Sequence, residues 1–185
     1  MARPAPQVKV VDVTLSSPMM TTELSGRTNA FEVAEVRPQV SGIITKRIYK
    51  EGQDVKAGEP LYQIDAALYE AALAQAQAND NLAVAEARRA AELVKVKAVS
   101  KQVNDQAQAA LKTAAAALKT AQTNLAYTQV QSPINGRVGR SEVTPGALVN
   151  AYQVQYLTTV QQLDPIYVDV RQTGADMLRF KRDIA

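Results

Sequence analysis

The sequence predicts an α+β protein, elongated and multidomain, in which a small β-sandwich is split by an inserted antiparallel α-helical coiled-coil hairpin and flanked by part of a second β domain. Three observations carry this. Neither Gly nor Pro occurs between residues 61 and 132, a stretch rich in Ala, Gln, Lys and Glu, whereas both are frequent in flanks rich in Val, Ile, Thr and Tyr. Leucines recur every seventh residue in the second half of that stretch. The two flanks repeat each other 94 residues apart.

In chain order, Val8, Val10, Val11, Val13 and Leu15 read as a strand, and residues 23 to 36 as a second. Ile43, Ile44 and Ile48 then lead into a Glu51-Gly52 turn and on to Val55. Asp65 has the side chain to cap a helix that begins Ala66-Ala67-Leu68, with Glu70 in the first turn to suit the helix dipole. A single helix from there to Tyr127 would be about 90 Å long. Ala98-Val99-Ser100-Lys101-Gln102 argues for a break, because Val99 and Ser100 are poor helix formers and Ser100 is a good N-cap. The capping box is incomplete, since Val103 stands where Glu or Gln would complete it. The expected helices are 66 to 97 and 101 to 127.

Leu111, Leu118 and Leu125 define one seam position of the second helix, and Ala107, Ala114 and Ala121 the other. Alanine lets two backbones approach closely, which favours a slim antiparallel pair. On the first helix the expected seam is Leu68, Leu82 and Val96 with Ala71, Ala78 and Ala85, interrupted by Gln75 and Arg89. Beyond the hairpin, Val138 and Val143 lead to Pro145-Gly146 and Val149. Aligning 42 to 64 with 136 to 158 matches Gly42 with Gly136, Gly52 with Gly146, Val55 with Val149, Ala57 with Ala151 and Tyr62 with Tyr156. The flanks are therefore two halves of one β domain, each strand-turn-strand, expected to close onto one another as a sandwich. Ile166-Tyr167-Val168-Asp169-Val170 reads as a further strand, and Asp176-Met177-Leu178-Arg179-Phe180-Lys181-Arg182 as a short amphipathic helix. Met1 ahead of Ala2-Arg3-Pro4-Ala5-Pro6 suggests a chain begun inside a longer protein, with any targeting signal or lipid anchor removed, and the unfinished second β domain suggests continuation past Ala185.

Composition narrows the chemistry. The 185 residues include no Cys, His or Trp, which excludes disulfides, Cys/His zinc sites and Ser/His/Asp or Cys/His nucleophilic catalysis. Aromatics at 5% are too few for single-strand stacking platforms, and 21 Lys+Arg against 18 Asp+Glu leave no phosphate-binding stripe, so no nucleic-acid partner is expected. Nowhere are 18 consecutive apolar residues found. Met19-Met20 could be read as a soft copper pair, but adjacent strand residues point to opposite faces, so a structural role is expected. The carboxylates Asp12 and Glu23, or Glu32 and Glu35, sit in no motif and read as solvated. Arg88 and Arg89, from composition alone, read as a solvated helix face.

Five runs stand in a fixed order between about residues 33 and 170. They are Val36-Arg37-Pro38-Gln39-Val40-Ser41-Gly42-Ile43-Ile44, Tyr62-Gln63-Ile64-Asp65, Val99-Ser100-Lys101-Gln102, Ser132-Pro133-Ile134-Asn135-Gly136-Arg137-Val138-Gly139, and Val160-Gln161-Gln162-Leu163-Asp164-Pro165-Ile166-Tyr167-Val168-Asp169-Val170. With the split domain around them, they resemble the periplasmic adaptor, or membrane fusion, proteins of tripartite efflux pumps. The resemblance is closest to the AcrA/MexA type that serves resistance-nodulation-division (RND) multidrug transporters, within the HlyD-like family. It implies a lipoyl-like domain at 38–64 and 130–162, a hairpin at 65–129, a partial β-barrel domain at 22–37 and 163–185, and a membrane-proximal strand at 7–21.

The resemblance further implies a non-enzymatic adaptor without cofactor or metal. Such a protein is periplasmic, is held to the inner membrane by an anchor absent from this chain, and joins an RND transporter to a TolC-type outer-membrane channel. It also implies a homo-oligomeric ring, hexameric in the assembled pump. Relative to the family, the hairpin is short, and Asn150-Ala151-Tyr152-Gln153 lacks the glycine expected in that turn. In such adaptors an Arg-x3-Leu-x6-Ser pattern near the hairpin tip contacts the channel, and Arg89, Leu93 and Ser100 occupy that spacing. Two other readings stand beside this one. An adaptor of a type I secretion or metal efflux system shares the architecture. A lipoyl or biotinyl carrier domain would need a Lys at the turn between the halves, and neither Gln63-Ile64-Asp65 nor Ala126-Tyr127-Thr128 supplies one.

Overall fold

The computed structural model describes residues 23–174, 177, 178, 181 and 182. The expected strand at 7–21, Asp12 and Met19-Met20 lie outside these residues; of the expected terminal helix, Met177, Leu178, Lys181 and Arg182 are described and helical. The chain forms two compact units, Thr28–Tyr167 and a second made of Met1–Arg27 with Val168–Ala185. All that follows concerns the first.

Eight strands and two helices run in the order β1 (Gly26–Val36), β2 (Gly42–Arg47), β3 (Asp54–Val55), β4 (Pro60–Ile64), α1 (Ala67–Lys95), α2 (Lys101–Ala126), β5 (Gln129–Gln131), β6 (Gly136–Val138), β7 (Leu148–Val149) and β8 (Thr158–Val170). They make two four-stranded sheets, ordered β1-β8-β6-β3 and β5-β4-β2-β7. The internal repeat is visible in the pairing. Gly42 of β2 faces Val149 of β7, and Gly136 of β6 faces Val55 of β3, the same pair moved along by 94 residues.

The turns obey the same symmetry. Gly52 donates its N–H to the Val138 carbonyl (2.9 Å), as Gly146 does to that of Ile44 (2.7 Å). Val138 in return donates to the Gln53 carbonyl and Ile44 to that of Ala147. Both turn glycines take left-handed backbone, with φ of 79° and 92°, which glycine adopts without a Cβ clash. The halves therefore do not stack as two separate sheets, as the sequence suggested. They interlock, each lending a strand to the other's sheet, because an isolated three-strand piece would leave its short second strand unpaired.

Between the sheets lies one core of Val36, Val40, Ile44, Tyr49, Val55, Leu61, Tyr62, Ile64, Val130, Val138, Val149, Leu157 and Val160. Its only deep polar group is a hydroxyl cluster. The Tyr62 phenol lies 2.8 Å from that of Tyr49, 2.6 Å from Ser141 Oγ and 3.1 Å from the Leu157 carbonyl, so both halves satisfy it. Burial pushes the Tyr62 phenol well up from its ordinary value, which keeps it protonated as a donor. Gly42 and Gly136 are required by close approach: a Cβ would meet Ile64 Cγ2 at 2.6 Å in the first case and the Gln161 carbonyl oxygen at 2.4 Å in the second.

The hairpin grows from neighbouring strands. β4 and β5 pair antiparallel, Tyr62 against Val130 and Gln63 against Gln129, so the chain leaves and re-enters the sandwich side by side. α1 starts one residue later than expected: Ala66 takes the N-cap place, and Asp65 Oδ1 accepts the Ala67 N–H at 3.0 Å from one position further out. The Tyr69 hydroxyl, donating to the Ser41 carbonyl at 2.7 Å, pins the first turn to the sandwich.

Candidate functional site

The tip is set by how the two helices pack. On α2 the expected seam is the observed one: Ala107, Leu111, Ala114, Leu118, Ala121 and Leu125 are all half-buried. On α1 the expected seam is wrong by one residue. Leu68, Leu82 and Val96 point outward, 82%, 56% and 73% exposed, and Ala71, Ala78 and Ala85 are exposed as well. The inward row is Tyr69, Leu73, Ala76, Asp80, Ala83, Ala87, Ala90 and Val94, of which Ala83, Ala87 and Ala90 are buried. Size misled the choice of face. α2 already supplies the leucines, and close approach of the two backbones selects alanine opposite them. Gln75 and Arg89 consequently interrupt nothing, since both lie on the exposed side.

This places Arg89 and Leu93 one turn apart on the open face of the last turns of α1, with Leu93 43% exposed. Arg89 has no ion-pair partner among the described residues, whereas Glu92 nearby is taken by Lys95 at 3.0 Å. α1 then ends in a Schellman motif. The Ala98 N–H donates to the Leu93 carbonyl (2.9 Å) and the Lys97 N–H to that of Val94 (3.0 Å), with Lys97 left-handed at φ 58° where glycine is usual. The turn also fixes Leu93 itself, because its carbonyl is one of the two acceptors.

Ser100 is the N-cap of α2, as the sequence predicts. Its backbone is extended, and its Oγ accepts the Val103 N–H at 3.3 Å. The hydroxyl is exposed and keeps its proton for a further contact. Arg89, Leu93 and Ser100 thus all lie at the tip and all are exposed. The arrangement can do no covalent chemistry: it offers a guanidinium, an apolar side chain and a hydroxyl, a set suited to an intermolecular contact. Among the described residues no group of three or more His, Cys, Asp or Glu side chains is placed to hold a metal ion.

Sequence reasoning missed two tip residues. Lys97 carries no signal, since any residue can be forced left-handed by its surroundings. Asn104 does carry one. It stands seven residues before Leu111 in the leucine row, and its Oδ1 is buried without a hydrogen-bond partner. At the sandwich, Asn150-Ala151-Tyr152-Gln153 forms a tight turn despite lacking glycine, with Tyr152 taking the left-handed place at φ 56°. The Tyr152 N–H donates to the Pro38 carbonyl at 3.0 Å and holds it there.

Comparison with known proteins bears on all of this. Residues 32–161 match the family model described as RND MFP, barrel-sandwich hybrid domain. The antibiotic efflux pump periplasmic linker protein ArpA of Pseudomonas putida is 53% identical over 183 residues, which is 99% of this chain and 49% of that protein. The multidrug resistance protein MexA of Pseudomonas aeruginosa is 54% identical over 180 residues, 97% of this chain and 47% of its own length. The chain thus spans about half the length of the curated relatives it matches. Among solved structures, a MacA-MexA chimeric protein containing the MexA α-hairpin domain superposes with a TM-score of 0.76 at 37% identity, covering 84% of this chain and 56% of that one.

Proposed function

We propose, since this chain belongs to the RND membrane fusion protein family, that it is the sandwich-and-hairpin part of a periplasmic adaptor that links an inner-membrane RND transporter to an outer-membrane channel for drug export. The domain division follows the resemblance: a lipoyl-like domain at 38–64 and 130–162, the hairpin at 65–129, part of a β-barrel domain at 22–37 and 163–185, and a membrane-proximal strand at 7–21. The role is structural, with no catalytic step. In the full pump the lipoyl-like and barrel domains pack side by side into a hexameric ring around a conduit, anchored at the inner membrane, while the hairpins reach the channel. The observation that carries this reading is the tip: Arg89, Leu93 and Ser100, exposed at the end of a hairpin rising from adjacent strands of the sandwich.

Docking through these three residues makes a discriminating prediction. Arg88 is also exposed but sits about 100° further round the helix from Arg89. In cells that depend on the full-length adaptor, Arg89→Glu is expected to raise drug susceptibility more than Arg88→Glu at equal expression, with the melting temperature of the purified protein almost unchanged by either. Equal susceptibility for the two charge reversals would return Arg89 to an ordinary solvated face.

A further inference from the structure

Charge is distributed unevenly along the hairpin. The shaft of α1, residues 67 to 87, carries Glu70, Asp80 and Glu86 and no cation. From 88 to 101 the balance reverses: Arg88, Arg89, Lys95, Lys97 and Lys101 stand against Glu92 alone, and Glu92 is already paired with Lys95. All of these side chains are exposed. Interleaved with the cations are Leu93, Val96 and Val103, the last 45% exposed and, among the described residues of α2, its only large apolar side chain so open to solvent. The left-handed Lys97 and the capped Ser100 fix the short turn that brings the end of α1 to the start of α2. Beneath it lies Asn104, whose buried Oδ1 has no donor. A leucine would fill that place in the seam more favourably, so the tip layer is held less firmly than the leucine layers behind it.

We propose that the docking surface runs across the tip from α1 onto the first turn of α2, adding Val96, Lys97, Lys101 and Val103 to Arg89, Leu93 and Ser100, and that it takes a protein end bearing carboxylates around an apolar notch. This rests on the adaptor reading and deepens it by naming the partner's chemistry. An uncompensated group of cations selects an acidic partner, because each carboxylate approached lowers the field of its neighbours. Three apolar side chains among those cations select a protein surface over an anionic headgroup or polymer, which would leave them wet. The loosely satisfied Asn104 layer lets the turn adjust to the partner as it closes.

Site-specific photo-cross-linking tests this in the protein expressed in the periplasm of a Gram-negative host with its outer-membrane channel. A photoreactive residue at 96 or 103 is expected to cross-link to the channel at a yield comparable to that from 89. Cross-linking from 89 and 93 but not from 96 and 103 would overturn the extended surface and leave the adaptor reading intact. Cross-links from 96 and 103 to a second copy of the chain, or to lipid, would overturn it too, and none to the channel from any position would remove both readings. For the charge, K97E combined with K101E should lower the yield from 89 by about tenfold, with K112E combined with K119E as the control further along α2. Equal yields for the two double variants would overturn the acidic partner.

Discussion

The sandwich and the hairpin solve the problem of staying folded in opposite ways. The sandwich buries thirteen large or medium apolar side chains between two sheets, several of them with no solvent exposure at all, and ties its halves together by reciprocal strand exchange. The hairpin has almost no interior. Its buried side chains are Ala83, Ala87 and Ala90 on α1, and α2 buries none. What holds it is helix propensity, a capped start to α2, and a thin seam of leucine on alanine. The sandwich is therefore a self-sufficient foundation, and the hairpin is a long lever whose surface is free to specialise.

The largest expected effect tests the foundation. Ile44 is fully buried and its backbone joins the two halves, so Ile44→Ala should lower unfolding stability by about 3 to 4 kcal/mol in urea titration. Conversely, replacing residues 66 to 126 by a short turn should leave a strand-rich domain with a cooperative melt, since β4 and β5 are already neighbours. A product with no cooperative melt would show that the sandwich needs its lever. Next, Leu118→Ala on the half-buried seam should cost less, about 1 to 2 kcal/mol. A loss equal to that of Ile44→Ala would mean that the seam is as well packed as the core.

A smaller change sharpens the contrast at the tip. Lys97→Gly relieves a left-handed non-glycine residue and should raise stability by about 0.5 to 1 kcal/mol, read as slower amide exchange around residues 93 to 98. The smallest concerns pH. Glu51 is held below its ordinary range, first by the Ser141 N–H that donates to it and then by Arg47, against a modest opposing effect of burial. Because the folded value is depressed, its contribution is present above the ordinary value of 4.5 and is lost as pH falls through the lowered one. Glu51→Gln should therefore make acid unfolding of the sandwich less steep below that pH and leave the hairpin's helical signal unaffected.

Much of this molecule is written locally. The absence of Gly and Pro from 61 to 132, the seven-residue spacing of Leu111, Leu118 and Leu125, and Ser100 between two helical runs are properties of neighbours in the chain, so helix, seam and cap could be read directly. The glycines at 52 and 146 likewise mark their turns, because positive φ favours one residue type. Arg89, Leu93 and Ser100 became candidates through the family resemblance, since nothing in an exposed Arg and Leu four apart distinguishes them from any other helix face.

What the chain alone determined, then, was which segments are strands and helices, that the flanks are two copies of one unit, and where the hairpin turns. Only the tertiary structure decided that the copies exchange strands, that α1 turns its alanines inward and its leucines out, and that Lys97 and Tyr152 accept a backbone conformation they disfavour. The reason is range. Periodicity and capping depend on residues within a turn or two, whereas β2 meets β7 across more than 100 residues, and the inward face of α1 is chosen by the leucines of a helix that follows it.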